Sequence, residues 1–89
     1  MLERELTVSN RLGLHARATA KLVQVLSGFR ANATLVAKGR EVNAKSIMGV
    51  MLLAAAQGTP VTVRVDGEDE AAALEAVTDL FERRFDEDN

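Results

Sequence analysis

The chain changes its apolar period once near the C-terminus, and that change constrains the fold most. Val61, Val63 and Val65 alternate with Thr62 and Arg64, the period-2 pattern of a strand with one buried face. Asp66-Gly67 interrupts it, and Leu74, Val77 and Phe81 then recur at helical spacing, with Ala73, Leu80 and Phe85 beside that stripe. A half-buried strand followed by an amphipathic helix needs a sheet for the helix to lie on. The chain has 89 residues and no cysteine, so residues 1–89 are expected to form one domain whose apolar faces meet without disulfide support.

The same reading extends backwards. Leu2, Arg4, Leu6 and Val8 alternate with Glu3, Glu5 and Thr7 and predict a first strand, with Leu6 and Val8 inward. Ala18, Leu22, Val25 and Leu26 predict a helix over 16–27, with Gly28 ending it in a left-handed conformation. Ala33, Leu35 and Ala37 predict a second strand, Lys38-Gly39-Arg40 a turn and Glu41–Asn43 a short third strand. Residues 46–57 have helical composition, with Gly58 as the stop, and Pro60 opens the fourth strand. Glu68, Asp69 and Glu70 place carboxylates at the positive end of the last helix. Residues 86–89 form an acidic end with nothing to bury, expected to fray. The order is β-α-β-β-α-β-α, an α+β chain with helices on one face of a sheet.

The only histidine, His15, falls where the first loop meets the first helix, in Gly13-Leu14-His15-Ala16-Arg17-Ala18. A helix start exposes unpaired N–H groups, here those of Ala16 and Arg17, and with the macrodipole these attract an anion. The dipole and Arg17 also disfavour the imidazolium form, which leaves a nucleophilic lone pair on His15. A phosphoryl group taken up by that imidazole would face the N–H groups and the Arg17 guanidinium. The same position also suits a histidine that only caps the helix. A metal site is not expected, because no second histidine and no cysteine could complete one.

Ser46 reads as the N-cap of the second helix, accepting from the N–H of Met48 or Gly49. A phosphate there would add roughly −1.5 to −2 charge without opposing the helix dipole, and would repel a partner docking on that face. Ile47, Met48 and Met51 are either core or, if turned outward, an adaptable apolar patch. Residues 11–64 hold eight Lys/Arg and one acid, whereas residues 66–89 hold ten acids and two arginines. Most of these charges read as solvated surface, and the sharper reading is a basic face around His15. An acidic chain with three Phe and neither Tyr nor Trp is not built to stack on nucleic acid. Met1–Glu5 does not fit a secretory signal, and no run is long enough for membrane insertion.

Together, Gly13-Leu14-His15-Ala16-Arg17, Lys45-Ser46-Ile47-Met48-Gly49-Val50-Met51, Gln57-Gly58-Thr59 and Gly67-Glu68-Asp69-Glu70 resemble the HPr family of phosphocarriers of the bacterial phosphoenolpyruvate-dependent phosphotransferase system. The resemblance covers nearly the whole chain. It implies an open-faced β-sandwich, a four-stranded antiparallel sheet with three helices on one side. It implies a cytoplasmic, monomeric, stoichiometric carrier without cofactor or metal, not an enzyme with its own substrate. His15 would accept a phosphoryl group on Nδ1 from enzyme I and pass it to an enzyme IIA domain, with Arg17 beside the phosphate. Ala16, Ala20, Ile47, Met48 and Met51 match the family's docking patch, and Ser46 matches the serine that an HPr kinase/phosphorylase modifies in some bacteria.

Two departures stand out. Ala18 stands where the family usually has proline, so a modest stability cost is expected and not loss of function. Gln24 and Ser27 stand where some members carry lysines, so the attraction to enzyme I is expected either to be weaker or to be carried by Arg11, Lys21 and Lys45. The ending Leu80-Phe81-Glu82-Arg83-Arg84-Phe85-Asp86-Glu87-Asp88 is similar to the nitrogen-branch paralogue NPr. A non-covalent α+β regulatory or ligand-binding module remains the alternative from another class.

Overall fold

The computed structural model describes residues 1–87. Strands β1 (Leu2–Thr7), β2 (Asn32–Ala37), β3 (Arg40–Asn43) and β4 (Pro60–Asp66) alternate with helices α1 (Ala16–Ser27), α2 (Ile47–Leu52) and α3 (Glu70–Glu82), and a 3₁₀ turn follows over Arg84–Asp86. The sheet order is β1-β4-β2-β3, with every neighbouring pair antiparallel. The last strand in sequence is therefore interior, and its valines at 61, 63 and 65 are completely buried.

Register aligns the inward faces. Leu6 pairs with Val61 and Leu35 with Val63, so their side chains share the face that α3 covers, where Leu22 and Leu26 of α1 join the same buried cluster. Each fully buried Leu or Val is worth roughly 1.5–3 kcal/mol against exposure, and Leu22, Leu26, Leu35 and Leu80 meet the sheet valines in one cluster. Arg4 occupies an inward position at the sheet edge and turns its guanidinium outward to Thr78 Oγ1 (2.9 Å) and Glu75 (3.2 Å) on α3. The opposite face is a polar surface on which Arg64 bridges Glu3 (3.1 Å) and Glu41 (3.6 Å). This is the open-faced, four-stranded α+β architecture.

Several local expectations are corrected. Gly28 keeps a right-handed conformation (φ −78°), because α1 ends by tightening: Gly28 N–H donates to the Val25 carbonyl (3.2 Å) and Phe29 N–H to the Leu26 carbonyl (3.0 Å). β3 begins at Arg40, since Lys38 and Gly39 alone make the two-residue turn, both with positive φ. α2 stops at Leu52, well short of Gln57. Ala54 turns left-handed (φ 48°), and the Ala55 carbonyl accepts the N–H of Leu14 (2.9 Å) instead of continuing a helix. Gly58 serves the end of β1, donating to the Val8 carbonyl at 2.7 Å.

At the start of α3, Asp69 makes no cap bond. Its carboxylate instead accepts the backbone N–H groups of Arg30 and Ala31, both at 2.8 Å, and ties the entry of β2 to α3. The Arg30 N–H, seconded by that of Ala31, holds the Asp69 carboxyl below the usual carboxylate range.

The C-terminal correction matters most. Phe85 does not lie on α3: Arg84, Phe85 and Asp86 all have positive φ (54°, 55° and 62°) and reverse the chain. Phe85 is completely buried, its ring centroid 4.9 Å from that of Phe81. Asp86 and Glu87 do not fray: Asp86 pairs with Arg83 (2.9 Å) and Lys21 (3.5 Å), and Glu87 is directed to His15. Asp88 and Asn89 lie outside the described residues.

Candidate functional site

His15 is the N-cap of α1, in extended backbone (φ −78°, ψ −178°). Its carbonyl accepts Thr19 N–H (2.9 Å), and its own N–H donates to the Gly13 carbonyl (2.9 Å). The loop before it is anchored at each step. Leu14 N–H holds the Ala55 carbonyl, Thr19 Oγ1 donates to the Leu14 carbonyl (3.1 Å), and the Asn10 amide donates to the Gly13 carbonyl (2.7 Å). Gly13 adopts φ 67° and passes so close to Ala55 that a Cβ would meet that residue's carbonyl oxygen. The imidazole thus stands on a rigid base, about one quarter exposed (28%).

Its two nitrogens differ. Nδ1 accepts the backbone N–H of Arg17 at 3.3 Å, using one of the free donors of the helix start. Nε2 lies 2.6 Å from Oε2 of Glu87. A carboxylate oxygen accepts and cannot donate, so this network assigns the proton to Nε2 and the lone pair to Nδ1. Partial burial pushes the Glu87 carboxyl up, but its hydrogen bonds from His15 and Asn10, with the positive charge of Lys21 nearby, outweigh burial and hold it below the usual carboxylate range.

A shallow depression opens here, lined by Arg11, Leu12, His15, Ala16, Arg17, Lys21, Asp86 and Glu87. His15, Ala16 and Arg17 are therefore together, and Arg11 adds a second guanidinium at the rim. Lys21 is engaged with the Phe85 carbonyl (2.9 Å), and Lys45 with the Phe29 carbonyl (2.8 Å), so Arg11 and Arg17 are the cations best placed for an incoming anion. Among the described residues, no group of three or more His, Cys, Asp or Glu is arranged to hold a metal, and no helix is long and apolar enough to cross a membrane.

Ser46 lies outside this depression, on the helix that packs beside α1. It caps α2 through Oγ, which accepts the Gly49 N–H at 3.1 Å, one of the two donors expected from sequence. Ile47, Met48 and Met51 point outward, 46%, 76% and 42% exposed, and Ala16 and Ala20 are exposed on α1. The apolar surface also includes Leu12 and Leu52, more than 60% exposed each (68% and 64%), which sequence reasoning missed. A six-residue α2 with only Val50 buried leaves its flanking apolar residues outside.

Asn10 and Glu87 were also missed. In sequence, Asn10 is one polar residue of the loop before His15, and Glu87 belongs to an acidic end without apolar pattern. The one available signal was Asn10 three residues before a glycine, a spacing suited to an Asn side chain that bonds local backbone.

Comparisons with known proteins agree on the family. Residues 2–83 match the family model described as "PTS HPr component phosphorylation site". The phosphocarrier protein HPr of Xylella fastidiosa (strain Temecula1) is 72% identical, covering 99% of each chain. The phosphocarrier protein NPr of Shewanella violacea is 41% identical, covering 97% of this chain and 94% of its own. The crystal structure of HPr-C-His from Thermoanaerobacter tengcongensis superposes with a TM-score of 0.96 at 40% identity, covering all of both chains. The chain belongs to the HPr family, the phosphocarriers of the phosphotransferase system.

Proposed function

We propose that this phosphocarrier takes its phosphoryl group on Nδ1 of His15, from enzyme I, and yields it to an enzyme IIA domain. The observation that carries this reading is the division of labour on the imidazole. Nε2 is engaged by Glu87, whereas Nδ1 presents its lone pair to the N-terminus of α1 beside Arg17. Attack through Nδ1 forms the N–P bond as the donor's bond to phosphorus breaks. The new dianion lands where the Arg17 N–H already points, within reach of a bidentate guanidinium. Transfer between two histidines must be in line, so the acceptor has to sit on a protruding helix start and not in a deep cleft.

Ala16, Ala20, Ile47, Met48 and Met51 form the docking surface, an apolar centre beside a rim carrying Arg11 and Arg17. Such a surface favours brief complexes and fast encounter. Ser46 is its off-switch. Phosphorylation by a kinase/phosphorylase would put a dianion next to Ile47 and Met48 while keeping the Gly49 N–H cap. Residues 1–89 act as one monomeric unit in the cytoplasm.

A second reading, the nitrogen-branch regulatory carrier, is favoured by the ending Leu80-Phe81-Glu82-Arg83-Arg84-Phe85-Asp86-Glu87-Asp88 and the NPr relative. The higher identity to HPr supports the first.

Incubation with enzyme I and phosphoenolpyruvate tests the proposal. One phosphate should add by intact mass, be acid-labile and alkali-stable, and be absent in His15→Ala. Wild type that stays unphosphorylated with every enzyme I tested would overturn it.

A further inference from the structure

Asn10 is completely buried, yet its Oδ1 has no hydrogen-bond partner among the described residues. A buried, unpaired amide oxygen calls for an explanation. The explanation lies at the other end of the amide. Nδ2 donates to the Gly13 carbonyl (2.7 Å) and to Oε1 of Glu87 (3.2 Å). Both partners are acceptors, so the amide cannot be reversed without losing both bonds. With Oε1 taken, Glu87 presents Oε2 to Nε2 of His15.

We propose that Asn10 and Glu87 are positioning residues that fix the proton of His15 on Nε2, and so keep Nδ1 as the attacking nitrogen. This rests on Nδ1 of His15 being the phosphoryl acceptor. Neither residue touches the transferred group: Asn10 aims Glu87, and Glu87 aims the imidazole. A neutral imidazole has one N–H, and a carboxylate at Nε2 holds it there.

The step then needs no base. Nδ1 carries no proton, so once the Arg17 N–H turns from Nδ1 to the incoming phosphoryl oxygens the lone pair forms the N–P bond, while the donor's bond to phosphorus breaks and its electron pair returns to the donor. The proton on Nε2 stays in place, and the positive charge that develops on the ring faces the Glu87 carboxylate. Transfer onward reverses each change. The relation resembles a carboxylate orienting a catalytic histidine through its far nitrogen. Glu87 reaches this place because buried Phe85 and the bond from Lys21 Nζ to the Phe85 carbonyl (2.9 Å) anchor the turn before it.

Glu87→Gln is the discriminating variant. A glutamine offers one acceptor and one donor where the carboxylate offered two acceptors. With its oxygen toward the Asn10 amide, its NH₂ donates to Nε2 and drives the proton to Nδ1, displacing the long (3.3 Å) bond from the Arg17 N–H. Reversed, its NH₂ meets the NH₂ of Asn10.

The tautomer of His15 is read from long-range ¹H–¹⁵N spectra of the unphosphorylated, full-length protein, above the pH at which the ring titrates. The phosphorylation rate with enzyme I and phosphoenolpyruvate is measured alongside. Wild type should show the Nε2–H form. Glu87→Gln should move the tautomer ratio toward Nδ1–H by about tenfold or more, and phosphorylation should slow with it. Glu87→Ala, which leaves Nε2 to water, should fall between the two and serves if the glutamine variant misfolds. A wild-type tautomer ratio in both variants overturns the proposal, as does a shifted ratio with an unchanged rate. The ratio is measured without phosphate, so it tests the positioning role separately from the acceptor assignment.

Discussion

Gly13→Ala should loosen the platform under His15 more than any comparable change at an exposed glycine. Gly13 has φ 67°, and a left-handed alanine costs roughly 1–2 kcal/mol. Its Cβ would also overlap the Ala55 carbonyl oxygen and lie 2.9 Å from the Ala56 Cα. Both obstacles are backbone, so neither yields by a rotamer change, and overpacking of this kind costs roughly 1–3 kcal/mol. The total is about 2–5 kcal/mol, a large part of the ~4–13 kcal/mol expected for a chain of this length. Gly58→Ala is the matched control: its φ is 90°, but nothing lies within 4 Å of the added carbon, so only the conformational cost applies. Urea melts of both variants give the difference directly, and about 2 kcal/mol should lower the Gly13→Ala midpoint by roughly 1–2 M. The His15 amide and ring resonances should shift in Gly13→Ala alone. Equal losses in the two variants, within ~0.5 kcal/mol, would refute the idea that close approach to Ala55 sets the loop.

Other outcomes follow from the same geometry. Phe85→Ala should cost about 3–5 kcal/mol by calorimetry and release Glu87 from His15, seen as mixed imidazole tautomers. Ser46→Asp keeps an acceptor for the Gly49 N–H, so melting should change by no more than ~0.5 kcal/mol while phosphotransfer slows; unaltered kinetics would remove the repulsion argument. Met48→Glu, on a largely exposed side chain, should leave stability within ~0.5 kcal/mol and weaken enzyme I binding about tenfold by titration calorimetry. Asp69 has a folded pKa below its unfolded one, so the stability it adds is complete above the unfolded carboxylate value and is lost as pH falls through the folded value. Denaturant melts should therefore weaken below about pH 4, and less steeply in Asp69→Asn.

The architecture could be read from periodicity because packing alone decides it. Val61, Val63 and Val65 could face only a core, and α1 spans the residues its apolar spacing indicates. The end of α2 could not be read. Ala54-Ala55-Ala56 has good helix propensity, but the Ala55 carbonyl is claimed by Leu14, forty-one residues earlier. His15 and Arg17 were readable as a site because they are neighbours in one helical turn. Glu87 was not, since its place depends on a left-handed reversal through Arg84, Phe85 and Asp86 that contains neither glycine nor asparagine. The buried Phe85 that stabilises this turn looked in sequence like one more member of the helical stripe.

The strand order has a consequence for how the protein is made. β4 lies between β1 and β2 in the sheet yet is the last strand synthesised. Until residues 60–66 leave the ribosome, only the β2–β3 hairpin can pair, and β1 has no neighbour to accept it. β1 must then close a loop of more than fifty residues onto β4, pairing Thr7 with Pro60 and Leu2 with Val65. Folding in such a topology is governed by distant contacts. The nascent chain spends most of its synthesis with its future centre missing, and its first strand must stay unpaired until that centre arrives.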